Sequence, residues 1–202
     1  MRYSLEAWVN KTYTEAEALA LFSKIDWNSW VFNPGANPQP DHLNFTTAGA
    51  VGFEQMADAY IELGGQSSPE NYTNYLTTDD VQLQIIFLAR LRARKADMTL
   101  AIINRVDGDF NVTTAKNPEH GQQWFPLSIY LKYDFAYAAA HHYVSYQGRM
   151  KYILPVYTAL VQNGRRDLAY QWFIDNQNFY HPIALAKVRQ IVLGSSSLSA
   201  KD

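Results

Sequence analysis

Apolar positions fall along this chain in helical blocks separated by short polar breaks. The alternating pattern of a strand, with its β-branched enrichment, is almost absent. The first block, AEALALFSKI, follows Thr14 and Glu17, which have the spacing of a capping box. NPGANPQP (Asn33 to Pro40) is too rich in proline and glycine for a helix or a central strand. A second helix is expected from Thr47 to Leu63, closed by Gly64 and Gly65. In SSPEN, Ser68 reads as an N-cap, with Pro69 at the first helical position and Glu70 in the first turn. Thr78, Asp79 and Asp80 open VQLQIIFLARLRARK, with acids at its start and bases at its end, as a helix dipole favours. A shorter helix from Asp97 to Val106 and a loop over DGDFNVTTAK follow. Asn117, Pro118 and Glu119 are N-cap, first and second residues of the next helix. Three more blocks are expected from about Asp134 to Tyr146, from Lys151 or Leu154 to Gln162, and from Asp167 to Asn176. Gly148 ends the first of these and Gly164 the second. His181-Pro182 opens the last helix, IALAKVRQIVL, ahead of a polar tail.

About eight helices with short connections and no strand argue an all-α fold. From Asp79 onward they pattern as antiparallel hairpins stacked side by side, an irregular α-α superhelix of the armadillo or HEAT kind. No repeat of fixed period is present. One domain over residues 1–202 is expected, with residues 195–202 as a flexible tail.

Composition narrows the chemistry. The chain has 202 residues, 48% apolar and 18% charged, with a net charge of -2. That balance suits a globular protein and gives no general attraction to nucleic acid or to an anionic membrane. There are no cysteines, so disulfides and thiolate metal sites are excluded, and a cytoplasmic setting is expected. No apolar run reaches the ~18 residues of a membrane span, and the N-terminus lacks the apolar core of a signal peptide. The N-x-T sequons at Asn10, Asn44, Asn71 and Asn111 are chance matches in such a chain.

The five histidines are His42, His120, His141, His142 and His181, and none lies in an H-E-x-x-H helix. His141 and His142 diverge by about 100° on a helix, which suits one packed and one solvated ring rather than a shared metal. His181 reads as a cap. Asp107-Gly108-Asp109 starts like a calcium loop but lacks the later ligands, and reads as a turn. RLRARK (Arg90 to Lys95) reads as a solvated helix end. No nucleophile elbow or P-loop is present, and the surplus of aromatic residues reads as packing.

QGRMKYILP (Gln147 to Pro155) stands apart. Gly148 ends one helix and Pro155 suits the first turn of the next, so Arg149 and Lys151 fall at a corner. In an extended corner, residues i and i+2 point the same way. The two cations would then converge on a carboxylate or another small anion, with Met150 turned inward as anchor. A solvated surface pair is the competing reading.

The same residues resemble a known family. QGRMKY is similar to the Q-G-R-M-K-F segment of the C-terminal helical domain of leukotriene A-4 hydrolase and the aminopeptidase B-like zinc aminopeptidases of peptidase family M1. IDWNSWVFNPGANPQP (Ile25 to Pro40) resembles that domain's D-W-N-x-W-L-x-x-P-G-x-x-P entry, and HPIALAKV its H-P-V-T-A closing helix. Between Asn117 and Gly148 the family's spacing is kept at Glu119, Trp124, Leu127, Ile129 and Lys132. Gly64 to Asn111 matches mainly in helical pattern.

The resemblance implies a domain that closes the active-site cleft of a larger metallopeptidase, beside an N-terminal β-domain and a catalytic domain. It implies that Arg149 and Lys151 bind the substrate's carboxylate, the C-terminus of a peptide. It implies no catalytic residue, metal ligand or cofactor in this chain, since zinc belongs to the catalytic domain. The partners implied are those two domains and the peptide substrate, with neither nucleic acid nor membrane. Tyr152 departs from the family's usual Phe, keeping the packing and adding a hydroxyl. The alternative function is a non-catalytic helical-repeat scaffold for protein interactions.

Overall fold

The computed structural model describes residues 7–9, 11–34 and 46–194. His42, the proline-rich stretch beyond Pro34, the sequons at Asn10 and Asn44, the first six residues and the tail over 195–202 lie outside them. The chain divides into two compact units, Met1–Phe45 and Thr46–Asp202.

In the first unit, α1 (Glu15–Phe22) begins with the expected capping box: the Thr14 hydroxyl accepts from the Glu17 amide, and Glu17 accepts in return from the Thr14 amide. A π-helical turn covers Asn28–Phe32. Asp26 holds its start, accepting from the Ser29 amide at 3.1 Å and the Ser29 hydroxyl at 2.6 Å. The Asp of the D-W-N-x-W stretch is therefore a cap.

The second unit contains α2 (Ala48–Glu62), α3 (Thr73–Thr77), α4 (Val81–Ala93), α5 (Leu100–Phe110), α6 (Pro118–Tyr130), α7 (Tyr137–Tyr146), α8 (Met150–Gln162), α9 (Arg166–Asn176) and α10 (Pro182–Leu193), with short 3-10 turns around Val112 and Asp134. No strand occurs among the described residues, and none of their helices is long and apolar enough to cross a membrane. α2, α4, α6, α8 and α10 lie side by side in one layer, and the intervening longer helices pack behind them. Such hairpins bury their apolar faces only against neighbours. Side chains near the ends of successive first-layer helices meet, Asp58 with Arg90 and Glu119 with Lys151, so these helices run in parallel.

The caps explain most boundaries. Thr47, Asp80, Thr99, Asn117 and His181 each accept from a backbone amide of the turn they open. At the α2–α4 end the core is aromatic: Tyr75 stacks on Phe110 at 4.2 Å, and Phe87 meets Phe110 edge-on at 5.5 Å. Further along, the hydroxyls of buried Tyr157 and Tyr180 pair at 2.9 Å, and Tyr180 donates on to the Val144 carbonyl.

Three local expectations are corrected. Ser68 caps no helix; its hydroxyl donates to Asp109 at 2.6 Å, and helix begins only at Thr73. Asp107, Gly108 and Asp109 are helical, because Ile102, Ile103, Val106 and Phe110 form one buried stripe that carries α5 to Phe110. Buried Asp107 is satisfied by the Thr113 amide and hydroxyl, and Thr113 in turn accepts from the Trp124 indole. RLRARK is not simply a solvated end: Arg90 grips Asp58 through two nitrogens at 2.9 and 2.8 Å, and Arg94 joins the same carboxylate at 2.9 Å.

Glycine is required at Gly65. Its φ is +80°, and a Cβ there would lie 2.4 Å from the Ala101 carbonyl carbon. Gly65→Ala is expected to cost about 2 kcal/mol or more in urea unfolding. Gly108→Ala, inside a helix with open space around it, is expected to gain about 0.5–1 kcal/mol.

Candidate functional site

The corner is built from the start of α6 upward. Asn117 accepts from the Glu119 amide at 3.0 Å, and Pro118 occupies the first helical position, where no donor is needed. Gly121 leaves room for Tyr143, whose ring carbon would lie 2.6 Å from an added Cβ. The Tyr143 hydroxyl donates to the Pro118 carbonyl at 2.8 Å. This first turn is therefore clamped from outside.

Glu119 projects from that turn toward the start of α8. The Lys151 ammonium donates to its two oxygens at 2.6 and 2.7 Å, and the Tyr152 hydroxyl donates to one of them at 2.8 Å. Hydrogen bonds from Lys151 and then Tyr152, with the charges of Lys151 and Arg149, hold the carboxyl below its ordinary range despite some burial. The same bond pushes the Tyr152 phenol up. The hydroxyl that distinguishes Tyr152 from phenylalanine thus has a definite partner.

Arg149 is the N-cap residue of α8, extended at φ -77° and ψ 130°. Its guanidinium carbon lies 5.4 Å from the centre of the Tyr152 ring, and the Lys151 ammonium lies 5.5 Å from the same centre. Both sequence-nominated cations thus gather about Tyr152, but not in the expected way. The helix already includes Met150 and Lys151, so the corner is not extended through them, and Pro155 lies one turn deeper than anticipated. Met150 is 40% exposed rather than an inward anchor. The cause is helical spacing: Tyr152, Ile153, Val156, Tyr157 and Leu160 form the buried face, which puts Met150 outside. Lys151 is committed to Glu119. Among the described residues Arg149 makes no ion pair or hydrogen bond through its side chain, and it is exposed.

The sequence presents Glu119 as a helix-start acid and as one of the positions that keep the family's spacing, not as a partner of Lys151. Its pairing with Lys151 crosses 32 positions, a distance at which the only sequence signal was the family spacing. Beside it, His120 is buried, its Nε2 has no hydrogen-bond partner among the described residues, and burial lowers its pKa. His141 stacks on Trp172 at 5.0 Å with Nε2 3.3 Å from an Asp175 oxygen, while His142 is exposed, the packed and solvated pair expected. No group of three or more His, Asp or Glu side chains able to hold a metal forms among the described residues. On its other flank Lys151 lines a groove of about 640 Å³, with Arg92, Leu127, Tyr130, Leu154 and Pro155 among its walls.

Fold and corner together define a helical-repeat domain that presents a cationic N-terminus at the seam of two parallel helices. The family described as leukotriene A4 hydrolase, C-terminal, matches residues 80–192, and the chain belongs to it. Leucine aminopeptidase 2 of Aspergillus niger is 24% identical over 181 residues, covering 90% of this chain and 29% of that protein. Leukotriene A-4 hydrolase of Xenopus laevis is 24% identical over 186 residues, covering 88% of this chain and 29% of that protein. The native yeast LTA4 hydrolase structure is similar in fold, with a TM-score of 0.72 at 24% identity over 93% of this chain and 32% of that one. The chain thus spans under a third of the length of these relatives.

The corner gives stability two acid-sensitive steps. His120 has a folded pKa below its ordinary 6.5, so it protonates more readily when unfolded, and stability falls as pH drops through about 6.5. Glu119 has a folded pKa below 4.5, so its contribution is present above about pH 4.5 and is lost below it. Urea midpoints measured across pH are expected to show both steps. His120→Gln should flatten the upper step, and Glu119→Gln should reduce the lower, to which Asp58 also contributes through Arg90 and Arg94, each leaving the other step in place.

Proposed function

We propose that this chain acts as the cleft-closing helical domain of a leukotriene A-4 hydrolase-like aminopeptidase in the cytoplasm. In this reading Arg149 fixes the substrate's terminal carboxylate, with Lys151 beside it. One observation carries the assignment: among the described residues Arg149 is an exposed guanidinium that rests over an aromatic ring and makes no side-chain hydrogen bond or ion pair, next to a lysine already neutralised by Glu119. Two cations against one internal carboxylate leave one positive charge over, and a planar guanidinium offers a carboxylate two parallel donors. Family membership and the names of the relatives support a peptide as the bearer of that carboxylate.

This chain's part in the reaction is binding and orientation. Anchoring the far end of a peptide sets the position of its other end in the catalytic domain, so the anchor acts on turnover as well as affinity. Glu119 and Tyr152 keep Lys151 in place while Arg149 remains available.

Arg149→Ala, introduced into the enzyme together with its catalytic and N-terminal domains, tests the reading. The value of kcat/KM for tripeptides with a free C-terminus is expected to fall about 10–100-fold. Peptides with an amidated C-terminus should lose much less. Equal losses for the two series would remove the carboxylate anchor.

A further inference from the structure

The groove beyond Lys151 has a charge pattern that the corner does not account for. Four cations line it, Arg92, Lys95, Lys151 and Lys187, and no Asp or Glu is among its lining residues. Only Lys151 of the four is ion-paired among the described residues. Arg92 is half-buried and donates to two neutral oxygens, the Gln122 carbonyl and the Gln123 amide oxygen, both at 3.1 Å. A desolvated guanidinium without a counter-charge is unfavourable, and burial works against its protonated form. Lys95 lies 4.7 Å above the Tyr130 ring, and Lys187 is exposed on α10.

The floor between these cations is apolar, formed by Pro126, Leu127, Leu154, Pro155 and Ala159. Pro155 has no N–H to give to the carbonyl of Lys151 one turn earlier, which removes that carbonyl's usual helical donor. In α6 the carbonyl freed by Pro126, that of Gln122, is taken by Arg92. The groove wall therefore combines cations with aliphatic surface.

We propose that this groove binds an acidic polypeptide segment in which carboxylates alternate with aliphatic side chains. Length selects a chain over a small anion. Arg92 sits on α4 and Lys95 in the turn after it, Lys151 on α8 and Lys187 on α10, and three helix spacings of 8–10 Å separate α4 from α10, roughly 25 Å. An extended peptide crosses that distance in about eight residues. A polypeptide also brings aliphatic side chains for the apolar floor. A nucleic acid brings no aliphatic side chains, and the one aromatic ring lining the groove, Tyr130, is covered by Lys95.

The test is fluorescence anisotropy with this 202-residue chain and a labelled peptide of about ten residues alternating Glu and Leu. Both peptide ends are blocked, so no terminal carboxylate can engage Arg149. Binding is expected at low salt and should weaken as salt rises. The double variant Lys95→Glu/Lys187→Glu changes two exposed side chains, and thermal unfolding checks that it stays folded. It should weaken binding about tenfold or more. A peptide with Lys in place of Glu should not bind. The proposal is overturned by no binding at low salt, by equal affinity in the folded double variant, or by a thymidine oligonucleotide that binds more tightly than the peptide and is lost in that variant.

Discussion

The ion pair between Glu119 and Lys151 is the constraint on which this end of the molecule depends. A helix N-terminus carries partial positive charge, so Arg149 at the N-cap and Lys151 in the first turn of α8 are unfavourably placed by their own helix. Glu119 supplies the missing negative charge from the first turn of α6, a position its own helix favours. One carboxylate thereby satisfies the dipoles of two parallel helices and fixes the register between them. The hydroxyl of Tyr152 strengthens the link, and Tyr143 and Gly121 keep the turn that bears Glu119 from shifting. Because Glu119 is bonded to Lys151 and Tyr152, Arg149 is left as the exposed donor.

The same two helices each carry an interior proline, Pro126 in α6 and Pro155 in α8. An interior proline ordinarily breaks a helix by removing a hydrogen bond and crowding the preceding turn. Here packing overrides that preference. Trp124 and Leu127 flank Pro126 in the core, Ile153 and Val156 flank Pro155, and all four are fully or almost fully buried. Arg92 meets part of the cost by donating to the carbonyl that Pro126 leaves without its helical donor. The middle cation of a basic run is thus drawn to a backbone position across the layer, while Arg90 and Arg94 turn to Asp58. One helix end ties together the helices on both of its sides.

The sequence made legible what is decided locally. Capping residues, proline at a first helical position and glycine after a last turn depend on the nearest four residues, and Thr14, Thr47, Asp80, Asn117 and Gly164 behave accordingly. Where a local preference competed with burial, burial won. Ser68 could have capped a turn, but its hydroxyl is used by Asp109 together with Tyr60, across about forty and fifty positions. The glycine and acids after Val106 suggested a turn, but Phe110 had to reach the aromatic core, and Thr113 offered buried Asp107 its partners.

The corner followed the same division. Arg149 and Lys151 were found because they flank a helix boundary and sit in a recognisable segment, both local facts. What each cation does was not legible, because it depends on a carboxylate about thirty residues earlier and on the rotation of α8, set by Tyr152 and Ile153 in the core. An extended corner would have made the two charges equivalent. The helical one makes them different: one is a fixed strut between helices, and the other is an exposed guanidinium held over an aromatic face. In the function proposed above, that difference leaves recognition to Arg149 and position-keeping to Lys151, a division that the spacing of the two residues alone does not reveal.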